Sequence, residues 1–223
     1  MSKNGKTANL ELLIECEVKD KNGKILSVHR QKAKSLLKNF AKMLRTMAVA
    51  PITFNSSQTT TLTDTSGTSR TYCGACITPP PSPTQSYALG TSPLSVNAGA
   101  GVDSYGIQVG TGASAVTRDD YQLGGKIAHG NASGQLSYGA MTVEDTDGTP
   151  PDTTFRVIRT FTNNTSSPIT VYEIGLAIAN AYNIGGTTIY TYYFLIARDV
   201  LTAPQSIPAG ATLTVRYIFK VTA

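Results

Sequence analysis

"ATLTVRYIFKV", residues 211–221, is the stretch that decides the fold class. Apolar side chains occupy every second position, and Thr, Arg and Lys occupy most of the positions between them. The apolar set is Leu213, Val215, Tyr217, Phe219 and Val221. Because successive side chains of a strand point to opposite faces, this alternation predicts a strand with one buried face.

Further stretches towards the N-terminus suggest the same kind of element. We expect strands at residues 153–162, 168–179 and 187–197, separated by the turn signals "NNTSSP" and "NIGG", with "PQSIPAG" before the last strand. Only 15% of residues are charged, and Thr and Tyr are abundant. Several strands with regular turns and few helices predict a mainly β protein, a β-sandwich of jelly-roll-like type.

The N-terminal region predicts a β-hairpin. Residues 8–19 alternate with period two, and "DKNGK" follows with Asn22-Gly23, a strong short-range signal for a hairpin. "ILSVHR" is the expected return strand. We assign residues 1–50 to a hairpin-plus-helix region and residues 51–223 to the sandwich, with one continuous domain as the alternative.

One amphipathic helix is expected over about residues 32–48. Its apolar stripe follows the spacing of a helix face and consists of Ala33, Leu36, Leu37, Phe40, Met43, Leu44 and Met47. A helix this short needs tertiary packing, so we expect the stripe to be core. Leu36→Asp or Phe40→Asp should then prevent folding or assembly.

The opposite side of this helix is basic, with Lys34, Lys38, Lys42 and Arg45. Residues 1–48 hold eleven Lys or Arg against four Asp or Glu, a net of +7, and the remaining residues hold eight against ten, a net of −2. The basic face either points to solvent or contacts an acidic partner, which could be a protein, a nucleic acid or an anionic membrane.

A glycine loop follows the short strand expected at 106–109. In "YGIQVGTGASAVTRDDYQLGG", residues 105–125, Gly110 and Gly112 have the outline of a dinucleotide-binding turn. No helix pattern follows, and Asp119 and Asp120 come too early to reach a ribose. We therefore predict a structural loop whose glycines adopt positive φ. Thr117 or Asp119 is expected to cap a short turn in it.

The cysteines leave three alternatives open. Cys73 and Cys76 form a Cys-x-x-Cys pair that could be two reduced thiols, a local disulfide, or a metal or redox site. The other Cys and His residues are Cys16, His29 and His129, and their spacing fits no known metal site.

Other chemical motifs are scarce. Asp145 and Asp147 favour a solvated turn over a calcium loop. No nucleophile elbow, zinc-protease motif or phosphate loop is found in the sequence. We expect no catalysis, no cofactor, no bound metal and no small-molecule substrate. Glycosylation sequons occur at Asn55, Asn131, Asn163 and Asn164, and they matter only if the protein meets a glycosylation system.

Three blocks together resemble virion structural proteins of tailed phages and archaeal viruses. They are "VKDKNGKILSVHRQKAKSLLKNFAKML", "GIQVGTGASAVTRDDYQLGGKIAHG" and "YYFLIARDVLTAPQSIPAGATLTVRYIFKV", which cover about half of the chain. Within that class the chain looks like the vertex or turret proteins of icosahedral archaeal viruses, such as the Sulfolobus turreted icosahedral virus. Residues 55–104 match no known pattern.

The resemblance implies a role in assembly, with homo-oligomers and other capsid or tail proteins as partners. Alternatives are a phage tail, decoration or receptor-binding protein, a secreted adhesin or pilin-like subunit, and a cofactor enzyme. Glu11, Glu15 and Glu17 interrupt the only N-terminal apolar run, so we expect no signal peptide and assembly in the host cytoplasm. An adhesin should carry an export signal, and an enzyme needs the helix that is missing after Gly112.

Overall fold

The structure is a computed structural model, and it describes residues 9–48, 59–73, 95–146, 153–183 and 189–222. Within these ranges the chain forms one helix, α1 (Lys38–Ala48), and eleven strands. The strands are β1 (Asn9–Lys19), β2 (Ile25–Lys32), β3 (Thr59–Thr63), β4 (Ser69–Cys73), β5 (Gly106–Gly110), β6 (Ser137–Tyr138), β7 (Thr142–Thr146), β8 (Thr153–Thr162), β9 (Ile169–Asn183), β10 (Ile189–Ile207) and β11 (Thr212–Thr222).

All strand pairs are antiparallel and form three sheets. The largest has the order β2-β1-β11-β8, and both β6 and β7 pair with the far side of β8. A second sheet has the order β10-β9-β5, and β3 and β4 form a two-stranded third sheet. The prediction of a mainly β fold is confirmed, as are the N-terminal hairpin and the short strand before the glycine loop.

The first and last strands of the chain lie side by side. β1 pairs with β11 from Asn9–Thr222 to Lys19–Thr212. Residues 14, 16 and 18 of β1 and residues 213, 215 and 217 of β11 share one fully buried face, which is the face that the alternation predicts. Gly23 closes the β1–β2 turn with φ 83°, a left-handed conformation that glycine adopts without steric cost.

Strands β9 and β10 are longer than the sequence pattern indicates. The expected turn at 204–210 is mostly strand, since β10 continues to Ile207 through two irregularities, at Leu195/Ala197 and Val200/Gln205. The true turn is Pro208–Gly210, where Ala211 N donates to Pro208 O at 3.0 Å. β-bulges let one strand follow the sheet's twist without ending, which hides the continuity from a period-two pattern.

One hydrophobic cluster contains residues of both larger sheets. Val157 and Val215 come from the first sheet, and Ile174 and Phe194 come from the second. The helix contributes Met43, which is fully buried. The core thus lies between the sheets, and α1 covers one side of it.

The predicted helix start at residue 32 is wrong. β2 extends to Lys32, and the following residues stay extended because Leu37 N donates to Ile196 O of β10 at 2.9 Å. A backbone bridge also joins Leu36 to Ala197. Backbone contacts with β10 therefore keep the residues before α1 extended, although their apolar spacing predicts a helix.

The buried stripe of α1 also differs from the predicted one. Asn39, Met43 and Thr46 are its buried residues, whereas Leu36 and Leu44 are 44% and 45% exposed. The amide of Asn39 donates to Thr63 O at 2.9 Å and to Leu195 O at 3.2 Å. A buried amide that links the helix to two strands sets the helix rotation, and a hydrophobic pattern cannot show this.

Candidate functional site

The glycine loop closes around a buried carboxylate, Glu173 of β9. Its Oε1 accepts hydrogen bonds from Gly112 N at 3.0 Å and Gly125 N at 2.7 Å, and its Oε2 accepts one from Gly124 N at 3.1 Å. Glu173 has no exposed surface. Successive backbone amides that converge on an anion are the arrangement by which glycine loops hold phosphate, and here the anion belongs to the protein.

The predicted positive φ at Gly110 and Gly112 is wrong, since neither residue has one. Glycine is needed there because the carboxylate lies so close. A Cβ added to Gly110 would lie 2.5 Å from Glu173 Oε1, and one added to Gly112 would lie 2.8 Å from Glu173 Cδ. The residue of this region that does have positive φ is Gly106, at 82°.

Arg198 of β10 completes this buried cluster. Its Nε donates to Glu173 Oε2 at 2.7 Å, its Nη1 donates to Asp120 Oδ2 at 2.7 Å, and its Nη2 donates to Ser114 O at 3.2 Å. The signal that sequence reasoning missed is a charged residue inside an apolar strand, as in "VYEIG" and "LIARD". Such residues need buried partners, and each of these two is the other's partner.

Asp119 and Asp120 have different partners. Asp120 forms the turn cap that we expected of Thr117 or Asp119, because Thr117 Oγ1 donates to Asp120 Oδ1 at 2.6 Å. Burial raises the pKa of Asp120, but hydrogen bonds from Thr117 and Arg198 lower it below its usual value overall. Asp119 instead pairs with Lys38 at the start of α1, at 2.8 Å. The structure thus brings together the helix and the glycine loop.

The basic face is partly occupied by contacts within the chain. Lys38 is paired with Asp119, and Lys42 Nζ donates to Thr61 O at 2.9 Å. The side chains of Lys34 and Arg45 are exposed. The four residues do not share one free surface, because Lys34 lies in the extended segment before the helix.

A second buried arginine, Arg159 of β8, holds a different loop. Its five N–H groups all donate to backbone carbonyl oxygens. These belong to Gly99, Val102, Tyr105, Ile107 and Gly139. Burial lowers the pKa of the Arg159 guanidinium, and the ring of Tyr138 lies 4.8 Å from its central carbon. Arg159 therefore joins the segment before β5 to the largest sheet.

A third buried group lies where residues 33–36 cross β10. Asp199 Oδ1 accepts a hydrogen bond from Lys34 N at 2.8 Å. Asp199 Oδ2 and the hydroxyl of Tyr217 are buried and have no hydrogen-bond partner among the described residues. Burial raises the pKa of Asp199 to about 6, against the lowering effect of Lys34 N. Burial and the nearby charge of Glu15 raise the pKa of the Cys16 thiol to about 12, so this cysteine stays protonated.

Several other predicted features have a defined place or lie outside the described residues. Asp145 is exposed and lies in strand β7, whereas Asp147 and most of the predicted turn lie outside the described residues. Cys76 and Asn55 also lie outside them. Asn163 is buried and its amide donates to Ser167 O and Ile207 O. Asn164 and Asn131 are exposed and hydrogen-bonded to each other at 2.9 Å.

Two further observations concern the described part of the chain. It contains no group of three or more His, Cys, Asp or Glu side chains arranged to hold a metal ion. Its single helix is too short and too polar to cross a membrane.

No protein-family model, curated protein or solved structure matches this chain. The geometry of the described residues is therefore the basis for the functional argument.

Proposed function

We propose that the chain is a structural protein of a virus particle, a self-associating vertex or turret component without catalytic activity. The observation that carries the proposal is the glycine loop filled by Glu173. The amides that would face a phosphate in a nucleotide-binding loop bond to the protein's own carboxylate instead. The strongest chemical motif of the sequence then serves to hold the fold.

The other buried charged groups support the same role. Arg159 donates its N–H groups to backbone carbonyl oxygens. Arg198 donates to the carboxylates of Glu173 and Asp120. These contacts join strands to neighbouring loops and to other strands, and neither arginine presents a charge to solvent. Interior polar networks that are fully hydrogen-bonded fix one conformation, which suits a protein that must fit into a regular assembly.

The finer architecture that we propose is a β-sandwich with jelly-roll-like connections. The chain passes from the largest sheet to the second between β8 and β9, and returns between β10 and β11. The shared hydrophobic cluster agrees with two facing sheets. An experimental structure in which strands β8, β9, β10 and β11 pair with other neighbours would contradict this arrangement.

The proposed partners are further copies of this chain and other capsid or tail proteins. An acidic neighbour of the N-terminal region would contact Lys34, Arg45 and the exposed side of β2. Lys38 and Lys42 contribute less to such a contact than the sequence predicts, because each has a partner within the chain.

Mass spectrometry of virus particles purified from the source culture tests the proposal. We expect this chain among the structural components, at a constant ratio to the major capsid protein across a density gradient. Its recovery with secreted fibres or cell envelopes would favour the adhesin or pilin alternative. Its recovery only in soluble extract, away from particles, would contradict the proposal.

A further inference from the structure

Both edges of the largest sheet carry exposed strands. β2 forms one edge, and β7 pairs only with β8 among the described residues. Leu26 and Val28 of β2 are 46% and 49% exposed, and Val143 of β7 is 53% exposed. Unpaired edges with exposed apolar side chains are templates for pairing with another strand.

The two edges carry opposite charge. β2 contains Arg30 and Lys32 and no acidic residue. Each is already paired with a glutamate of β1, but their side chains remain 75% and 67% exposed. β7 contains Glu144 and Asp145 and no basic residue, and both are exposed. Like charges oppose pairing of β2 with β2, or of β7 with β7, whereas pairing of β2 with β7 brings opposite charges together.

The two edges also run in the same direction. Four successive antiparallel pairings connect them, from β2 through β1, β11 and β8 to β7. An even number of reversals leaves β2 and β7 parallel. A rotation about an axis along the strands leaves the strand direction unchanged. A second copy related by such a rotation can therefore continue the sheet, with its β2 parallel to the β7 of the first copy. Repeated head-to-tail contacts of this kind form a ring if the rotation between copies closes and an open filament if it does not.

We propose that copies of this chain join head to tail, with β2 of one copy pairing with β7 of the next. This inference rests on the proposed self-associating role. One register places Val28 beside Thr142 and Arg30 beside Glu144. All four side chains lie on the same face of the sheet, because Arg30 is in register with Glu15, Arg216, Ile158 and Thr142 across the intervening strands.

A charge-swap pair tests the contact on the full chain. Arg30→Glu/Lys32→Glu makes both edges acidic, and Glu144→Lys/Asp145→Lys makes both edges basic. By sedimentation velocity at low salt, each variant alone should self-associate about tenfold or more weakly than wild type. An equimolar mixture should recover the assembly, because each acidic β2 then meets a basic β7. Circular dichroism and thermal melting check that each variant is folded.

The outcomes separate this inference from the proposed function. The Arg30→Glu/Lys32→Glu variant loses two ion pairs with β1, those of Arg30 with Glu15 and of Lys32 with Glu11. Glu144→Lys/Asp145→Lys therefore carries the test if the other variant misfolds. Folded variants that assemble as wild type does would overturn the edge contact, as would a mixture that stays dissociated. Presence of the chain in purified virus particles would still support the proposed structural role. Only recovery of the chain away from particles would contradict that role.

Discussion

Arg159 and Arg198 are both buried, at 0% and 3% exposure, yet the protein accommodates their charges in different ways. Arg198 lies between two carboxylates, Glu173 and Asp120. Arg159 has no ion pair among the described residues and donates only to carbonyl oxygens. Burial lowers the pKa of both arginines, but the carboxylates raise that of Arg198 overall, while that of Arg159 stays lowered.

The difference shows two ways of holding a long loop on a strand. Around Arg159 the backbone supplies the acceptors. The segment from residue 99 to residue 107 must therefore keep one shape to satisfy four of the five N–H groups, and Gly139 O accepts from the fifth. Around Arg198 the carboxylates supply the acceptors, and the glycine amides then bond to Glu173. The hydrogen bonds of Arg159 thus depend on backbone shape alone. Those of the Arg198 cluster depend both on charge and on the absence of side chains at the glycines.

The largest effect is expected from Arg159→Met. Loss of the guanidinium leaves up to five carbonyl oxygens without partners in the interior, and we expect about 3 to 5 kcal/mol less unfolding free energy. Chemical denaturation measures it. Arg156→Met, on the opposite face of the same strand, is the matched control and should cost about 1 kcal/mol or less. Equal costs for the two variants would show that Arg159 does not hold the loop.

Gly112→Ala should have an intermediate effect on the Arg198 cluster. The added Cβ would meet Glu173 Cδ at 2.8 Å, which forces the carboxylate or the loop to move and should cost about 1 to 3 kcal/mol. Gly99→Ala is the control, because no atom lies within 4 Å of its added Cβ. If Gly112→Ala melts at the same temperature as Gly99→Ala, the close approach of Glu173 to the loop is wrong.

The pH dependence of stability distinguishes the buried carboxylates. The pKa of Asp199 rises from 3.8 to about 6 on folding, so its contribution is largest in acid and is lost as pH rises through about 6. Between about pH 4 and pH 7, wild type should therefore lose unfolding free energy relative to Asp199→Asn.

For Asp120, tested by Asp120→Asn, the expected pH dependence of the unfolding free energy has the opposite sign. The pKa of Asp120 is lowered on folding, so its contribution is present above the unfolded value of 3.8 and is lost as pH falls below it. Denaturation curves over a pH series measure both variants. Parallel pH profiles for wild type and Asp199→Asn would show that Asp199 does not titrate in this window.

The smallest effect is expected from Leu36→Asp. The sequence pattern predicts that it prevents folding or assembly, but Leu36 is 44% exposed, so the cost in unfolding free energy should be about 0.5 kcal/mol or less. Phe40→Asp is the comparison, because Phe40 packs against the core and should cost several times more. Similar melting temperatures for the two variants would show that Leu36 and Phe40 contribute equally to the core, as the sequence pattern predicts.

The sequence predicts those parts of the fold that depend on local alternation and turn chemistry. β1, β2, β8 and β11 have clear period-two patterns, and the Asn22-Gly23 turn has a short-range signal. The start of α1 was mispredicted, because the residues before it bond to β10, which lies far away in the sequence. Local propensity cannot report a partner that only the tertiary fold brings near.

The candidate site was predicted only in outline. The sequence pattern singles out Gly110, Gly112 and Asp119, but Gly110 is the last residue of β5, and the glycines are needed because of Glu173, which follows 61 residues after Gly112. Charged residues inside apolar strands were the available signal, and a rule that every buried charge needs a partner would have joined Glu173 to Arg198. Their contact with the loop requires the sheet register, which no short motif encodes.

Native mass spectrometry of the purified full chain tests the central claim most directly. A self-associating structural protein should give one dominant closed oligomer, with a mass that is a whole multiple of 23.6 kDa, and added salt before analysis should shift it towards smaller species. A single 23.6 kDa species at every concentration and salt level would contradict the account.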